Sequence, residues 1–199
     1  MAYYREYFDL SSQDAIRRMA RTVWPFLKES FVEAEPKADL YVPLWTYCTL
    51  VITMSTFGSI VSAIDDARES SSSTLNLSFD YSKVEYCAGV LGFFFFINPA
   101  FFCIFFKCKG SPIGLAQLLC MVGYSFVPFI PVSFLFVTPY AIFRVAILMT
   151  AACLGMHFLY RNMGDLADKY LVGYTYFVRA YMIVIQIILI VVIYFVIFS

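Results

Sequence analysis

Apolar residues gather into five runs, each close to the roughly 20 residues that a helix needs to cross a hydrocarbon core. The runs are Tyr41–Ile64, Val84–Phe106, Ile113–Val137, Tyr140–Tyr160 and Phe177–Phe198. The polar intervals between them differ in kind. Asp65–Lys83 is rich in serine and acid. Lys107–Pro112 is a short turn with basic residues at Lys107 and Lys109, and Arg161–Tyr176 carries Arg161 and Lys169, with Arg179 just beyond. Only Thr138-Pro139 separates the third run from the fourth, and so short a hinge predicts antiparallel helices packed as a hairpin.

Ahead of the first run the pattern changes. Ser11-Ser12-Gln13-Asp14 resembles a capping box. After it Ile16, Met19, Ala20, Val23 and Trp24 recur at helical spacing, while Arg17, Arg18 and Arg21 point elsewhere. This predicts a short basic amphipathic helix ended by Pro25. Such a helix can lie on anionic lipid, offer its apolar face to a partner, or pack against the rim of the bundle.

Composition turns these runs into a fold class. Of 199 residues 61% are hydrophobic, 20% aromatic and only 14% charged, and the mean hydropathy is +0.76. Water-soluble domains carry about 25% charged residues, so lipid is the solvent for most of this chain. The expectation is an all-α polytopic membrane protein: a cytosolic arm over residues 1–40 with its amphipathic helix, then a five-helix transmembrane domain over 41–199. The arm has no apolar stretch of the kind a cleaved signal peptide needs. The formal net charge of zero hides an uneven distribution. With the N-terminus in the cytosol, that side receives Arg5, Arg17, Arg18, Arg21, Lys28, Lys37, Lys107, Lys109, Arg161, Lys169 and Arg179. The opposite side receives Arg68 and Lys83, and Arg144 lies near the non-cytosolic end of the fourth span, where it can snorkel. The positive-inside rule therefore predicts a cytosolic N-terminus and a lumenal Ser199.

Candidate chemistry is sparse. Catalysis needs convergent titratable groups, but the single histidine is His157 and the spans hold no acid apart from Glu85 near the lumenal edge, so neither an enzyme nor a cofactor is expected. Cys153, His157 and Arg161 share one helical face without the further ligands a metal site requires. His157 is expected to bond to a carbonyl or another helix inside the bundle. Cys48, Cys87, Cys103, Cys120 and Cys153 fall in apolar runs and are expected to be small buried residues. Cys108, between two lysines at the membrane edge, is a candidate for palmitoylation. Asn76-Leu77-Ser78 is a glycosylation sequon in the loop assigned to the lumen.

Two interruptions of the apolar pattern are more informative. Asp39-Leu40-Tyr41-Val42-Pro43-Leu44-Trp45 leads into the first span with an acid, two interfacial aromatics and a proline in the first turn. Gly123-Tyr124-Ser125, with Pro128 and Pro131, interrupts the third span. Two prolines one turn apart free backbone carbonyls that only protein can satisfy, so this span is expected to be kinked, with Pro128 and Pro131 against its neighbours and Gly123 permitting close approach.

Together with Tyr7-Phe8-Asp9 and Pro25-Phe26, in that order along nearly the whole chain, these motifs resemble the Yip family of Rab-interacting Golgi and ER membrane proteins. The resemblance implies five closely spaced spans behind a cytosolic N-terminal region. It also implies binding to prenylated Rab-type small GTPases and to other Yip-type membrane proteins, in support of vesicle transport. On that basis Asp39, Leu40, Tyr41, Pro43 and Trp45 are the candidate partner-binding residues, and Gly123, Tyr124, Ser125, Pro128 and Pro131 the helix-packing motif. The bilayer is a further partner; nucleic acid is not expected. The alternatives are a small transporter or channel, which five spans without an internal repeat fit poorly, and a membrane-shaping protein acting by wedge insertion.

Overall fold

The structure is a computed structural model that describes residues 8, 11–24, 31, 38–69, 81–138 and 140–198. Tyr7, Asp9, Pro25, Phe26, Asn76, Pro139 and Ser199 lie outside the described residues. The described fold is all-helical, and five of its helices are long and apolar enough to cross a membrane.

Helix α1 (Ser12–Val23) belongs to the arm. Ser11 caps it, its hydroxyl accepting from the Asp14 amide at 3.2 Å while donating to the Asp14 carboxylate at 2.7 Å. The chain leaves the helix at Trp24, which is extended as the residue before a proline should be. Ala15, Arg18 and Thr22 are the buried side, packed on the third and fourth spans, while Ile16, Val23 and Trp24 are exposed. Rim packing thus occurs through the small and polar side of α1, and its apolar face looks outward.

The first span is α2 (Tyr41–Glu69). The second combines α3 (Tyr81–Gly92), a wider π turn at Phe93–Ile97 and α4 (Asn98–Cys108). Pro99 causes the widening: it has no amide to donate, and its ring would press on the carbonyl one turn back, so the preceding turn opens. Gly110, at φ +78°, ends this span in a Schellman turn, Gly110 N–H donating to the Lys107 carbonyl at 3.0 Å and Ser111 N–H to the Phe106 carbonyl at 3.1 Å.

The third span is α5 (Leu115–Ser125) and α6 (Phe129–Leu135), joined by a tightened turn over residues 126–128. Phe126 donates to the Gly123 carbonyl at 3.2 Å and Val127 to the Tyr124 carbonyl at 3.1 Å, each one residue short of the α-helical partner. Pro128 could not have donated at all. The Val122 carbonyl, released by this shift, accepts the Ser125 hydroxyl at 2.6 Å. This span is central: 67% of its most apolar stretch is buried, against 28% for the fifth. Pro128 is buried, but Pro131 is exposed, contrary to expectation. The overwound turn advances the residues beyond it around the axis and carries Pro131 to the outer surface.

Helices α7 (Ala141–Tyr170) and α8 (Thr175–Phe198) complete the bundle. The fourth helix runs on to Tyr170 and absorbs most of the expected Arg161–Tyr176 loop. The remaining turn rests on Gly173 at φ +94°. Likewise α2 continues through Asp65 to Glu69. That extension has a consequence for Arg144, which does not snorkel. It is buried, donating from Nη1 and Nη2 to the Asp65 carboxylate at 2.7 and 3.3 Å and from Nε to the Thr138 carbonyl at 2.7 Å. We expect Arg144→Gln to lower thermal stability in detergent by about 2 kcal/mol: losing one partner of a buried pair costs more, but the half-exposed Asp65 can rehydrate. An unchanged unfolding midpoint would show that this fork contributes nothing.

Two further expectations fail for one reason. Cys48 and Cys153 are exposed, unlike buried Cys87, Cys103 and Cys120, and His157 is exposed rather than bonded inside the bundle. Lipid tails are as apolar as a protein interior, so no hydrophobic force sorts a small or amphipathic side chain inward.

Candidate functional site

The two sequence motifs meet at the end of the bundle that carries the arm. Asp39 precedes the first turn of α2, and its Oδ1 accepts the Tyr41 amide at 2.8 Å, satisfying one of the donors a helix start leaves open. Its Oδ2 accepts the Tyr124 hydroxyl from the third span at 2.9 Å. Asp39 is only 3% exposed and Tyr124 is fully buried. One turn further on, Pro43 presses on Gly123. A Cβ at Gly123 would lie 2.3 Å from Pro43 Cβ and 2.9 Å from both Pro43 Cα and Phe95, so only glycine lets the two helices touch here. Phe95 in turn stacks on Tyr47 at 5.4 Å, and the Tyr47 hydroxyl donates to the Ala88 carbonyl at 3.0 Å, which ties in the second span.

The arm supplies the rest. Phe31 sets its ring against Tyr124 (4.9 Å) and Phe158 (5.3 Å), and its amide donates to Asn162 Oδ1 at 2.7 Å. Asn162 in turn donates to the Phe158 carbonyl at 2.8 Å. Arg18 of α1 is buried, with its charge within electrostatic range of Tyr124. Sequence reasoning missed all three. Asn162 carried a signal, as an amide two residues beyond an apolar run. Arg18 looked the same as Arg17 and Arg21, and Phe31 the same as any arm aromatic.

The expected docking surface is therefore divided. Asp39 and Pro43 are buried and engaged inside the protein, so Asp39 is not a surface acid presented to a partner. Leu40 is half-buried, whereas Tyr41, Leu44 and Trp45 are exposed, Trp45 by 59%, with the Tyr41 and Trp45 rings 6.2 Å apart edge-on. At the same end Lys107, Cys108 and Lys109 are all exposed, which leaves the Cys108 thiol accessible. Lys109 Nζ lies 4.3 Å from the centre of the Tyr174 ring and 3.2 Å from its hydroxyl, joining the two turns. Arg179 lies along α7 over Tyr160, beside Gly164, and donates to Asp168 at 2.8 Å. Among the described residues no three His, Cys, Asp or Glu side chains converge on a metal site.

Five spans, a stapled arm and an interlock of helix ends define a multi-pass helical membrane protein. No protein-family model matches the chain, and no solved structure does. A curated protein of Dictyostelium discoideum, the Protein YIPF1 homolog, is 26% identical to it over 161 residues, which are 81% of this chain and 45% of that protein. The chain thus spans less than half the length of that relative. This similarity supports membership of the Yip family.

Proposed function

We propose that the protein is an adaptor of vesicle transport in ER and Golgi membranes. In this reading the arm end is cytosolic, Rab-type small GTPases bind there, and the bundle pairs with another Yip-type membrane protein. The observation that carries the reading is its relationship to the YIPF1 homolog. Two features of the molecule support it. The basic turns around Lys107, Lys109, Lys169 and Arg179 gather at the arm end, as the positive-inside rule asks of a cytosolic face. Beside them, exposed Tyr41, Leu44 and Trp45 offer aromatic and apolar surface at the level where a prenylated protein meets the bilayer. The role is binding rather than catalysis.

The test is capture of prenylated Rab proteins, GDP- and GTP-loaded, by the full chain in mild detergent. Because Asp39 is internal, the informative variants are Tyr41→Ala and Trp45→Ala. Truncating an aromatic anchor at a binding hot spot costs about 2 kcal/mol, so capture should fall more than tenfold while the unfolding midpoint stays put. If no Rab is captured, the adaptor reading is lost. If both variants capture normally, the surface lies elsewhere.

A further inference from the structure

The outward face of α1 has no use in the interlock or in the proposed docking surface. Ile16, Ala20, Val23 and Trp24 fall at i, i+4, i+7 and i+8, so they form one stripe along the helix, and all four are exposed, Ile16 and Trp24 each by 64%. Arg17 and Arg21 run beside the stripe. A free amphipathic helix in water would turn this face toward the bundle. Here the opposite side holds it: Ala15, Arg18 and Thr22 are buried against the third and fourth spans, and Phe31 anchors the same arm between Tyr124 and Phe158. The helix is therefore clamped beside the bundle's end with its apolar stripe facing away.

We infer that this stripe is seated in the lipid leaflet at the arm end, as an interfacial helix lying in the plane of the membrane. Three observations favour lipid over a protein partner. The stripe shares the apolar and aromatic character of the exposed surface of the spans, which at the arm end includes Tyr41, Leu44 and Trp45. Tryptophan at the stripe's end is the side chain best suited to headgroup depth. The flanking arginines match the negative charge of anionic headgroups, while the acid of α1, Asp14, is occupied with the cap at the helix's start. The bundle then supplies orientation and the bilayer supplies the second surface, so α1 braces the spans against the leaflet. This holds whether or not a GTPase binds.

The chain has two tryptophans, so Trp45→Phe leaves Trp24 as a single fluorescent reporter in the full-length protein. Reconstituted into vesicles of phosphatidylcholine with phosphatidylserine, its emission should be blue-shifted and strongly quenched by lipids brominated near the headgroup. Lipids brominated near the bilayer centre should quench it little. Ile16→Glu with Val23→Glu should abolish that quenching. The same pair in a Trp24→Phe background, with Trp45 as reporter, should leave the bundle's own emission unchanged and so exclude misfolding. Arg17→Gln should weaken quenching in the phosphatidylserine vesicles alone. Trp24 emission that stays red, answers to an aqueous quencher and ignores brominated lipid would overturn the inference and hand the face to a protein partner. Equal effects of Arg17→Gln in neutral and anionic vesicles would overturn the role given to headgroup charge.

Discussion

Gly123→Ala is expected to destabilise the bundle more than any other single methyl group added to it. The new Cβ would arrive 2.3 Å from Pro43 Cβ and 2.9 Å from Pro43 Cα. Neither atom can move by a change of rotamer, since a proline ring in the first turn of α2 is rigid and Asp39 pins that turn to Tyr124. The helices must separate instead. Overpacking costs about 1–3 kcal/mol and sometimes more, and a clash with backbone and ring belongs at the upper end. The measurement is the thermal unfolding midpoint in detergent, with Gly89→Ala as its control. A Cβ at Gly89 meets nothing within 4 Å, and alanine is the better helix former by up to about 1 kcal/mol, so that variant should be neutral or slightly stabilised. Equal midpoints for the two variants would refute the contact.

Asp39→Ala should come close behind. It uncaps α2, for about 1 kcal/mol, and strands the buried Tyr124 hydroxyl, for about 1–3 kcal/mol more. Asp39→Asn keeps an acceptor and should lose less; Tyr124→Phe removes the contact between spans and leaves Asp39 Oδ2 without its donor. The decisive comparison is the double variant Asp39→Ala with Tyr124→Phe, which should be less damaged than the two single losses added together, because the second change removes the group that the first leaves stranded. Strict additivity would mean that the two residues do not act as a pair. One practical result follows for binding experiments: failure of an Asp39→Ala protein to capture a partner reports on a loosened fold as readily as on a lost contact.

The spans were legible because their length and apolarity admit no other solvent, and the central kink because prolines leave carbonyls to be satisfied. Ends and faces were not. Helix α7 continues past Tyr160 because Arg161, Asn162, Asp165 and Lys169 are acceptable helix formers once outside the hydrocarbon, and hydropathy reports only where lipid stops. Arg144 can be reconciled equally with snorkelling or pairing until Asp65 is known to be helical. The inward turn of Asp39 was hidden for a similar reason. At the water–membrane boundary an acid is admissible on either side, and only the distance to Tyr124, which no local pattern encodes, decides between them. Pro131 depended on the phase of a turn that sequence spacing treats as ordinary helix.

The Asp39–Tyr124 bond also orders events in time. The two residues are 85 positions apart, so on a ribosome the first span and its cap are made long before the hydroxyl that completes them exists. Asn162, which receives Phe31, comes 131 positions after it and later still. Until the third and fourth spans have entered the membrane, the start of the first carries a carboxylate with one acceptor unfilled, and the arm has nowhere to dock. A chain stalled after two spans is thus marked at its N-terminal end by polar groups awaiting partners. The finished molecule buries these groups as the third and fourth spans close over them, so an incomplete chain differs from a complete one in the polar groups it leaves exposed at this end.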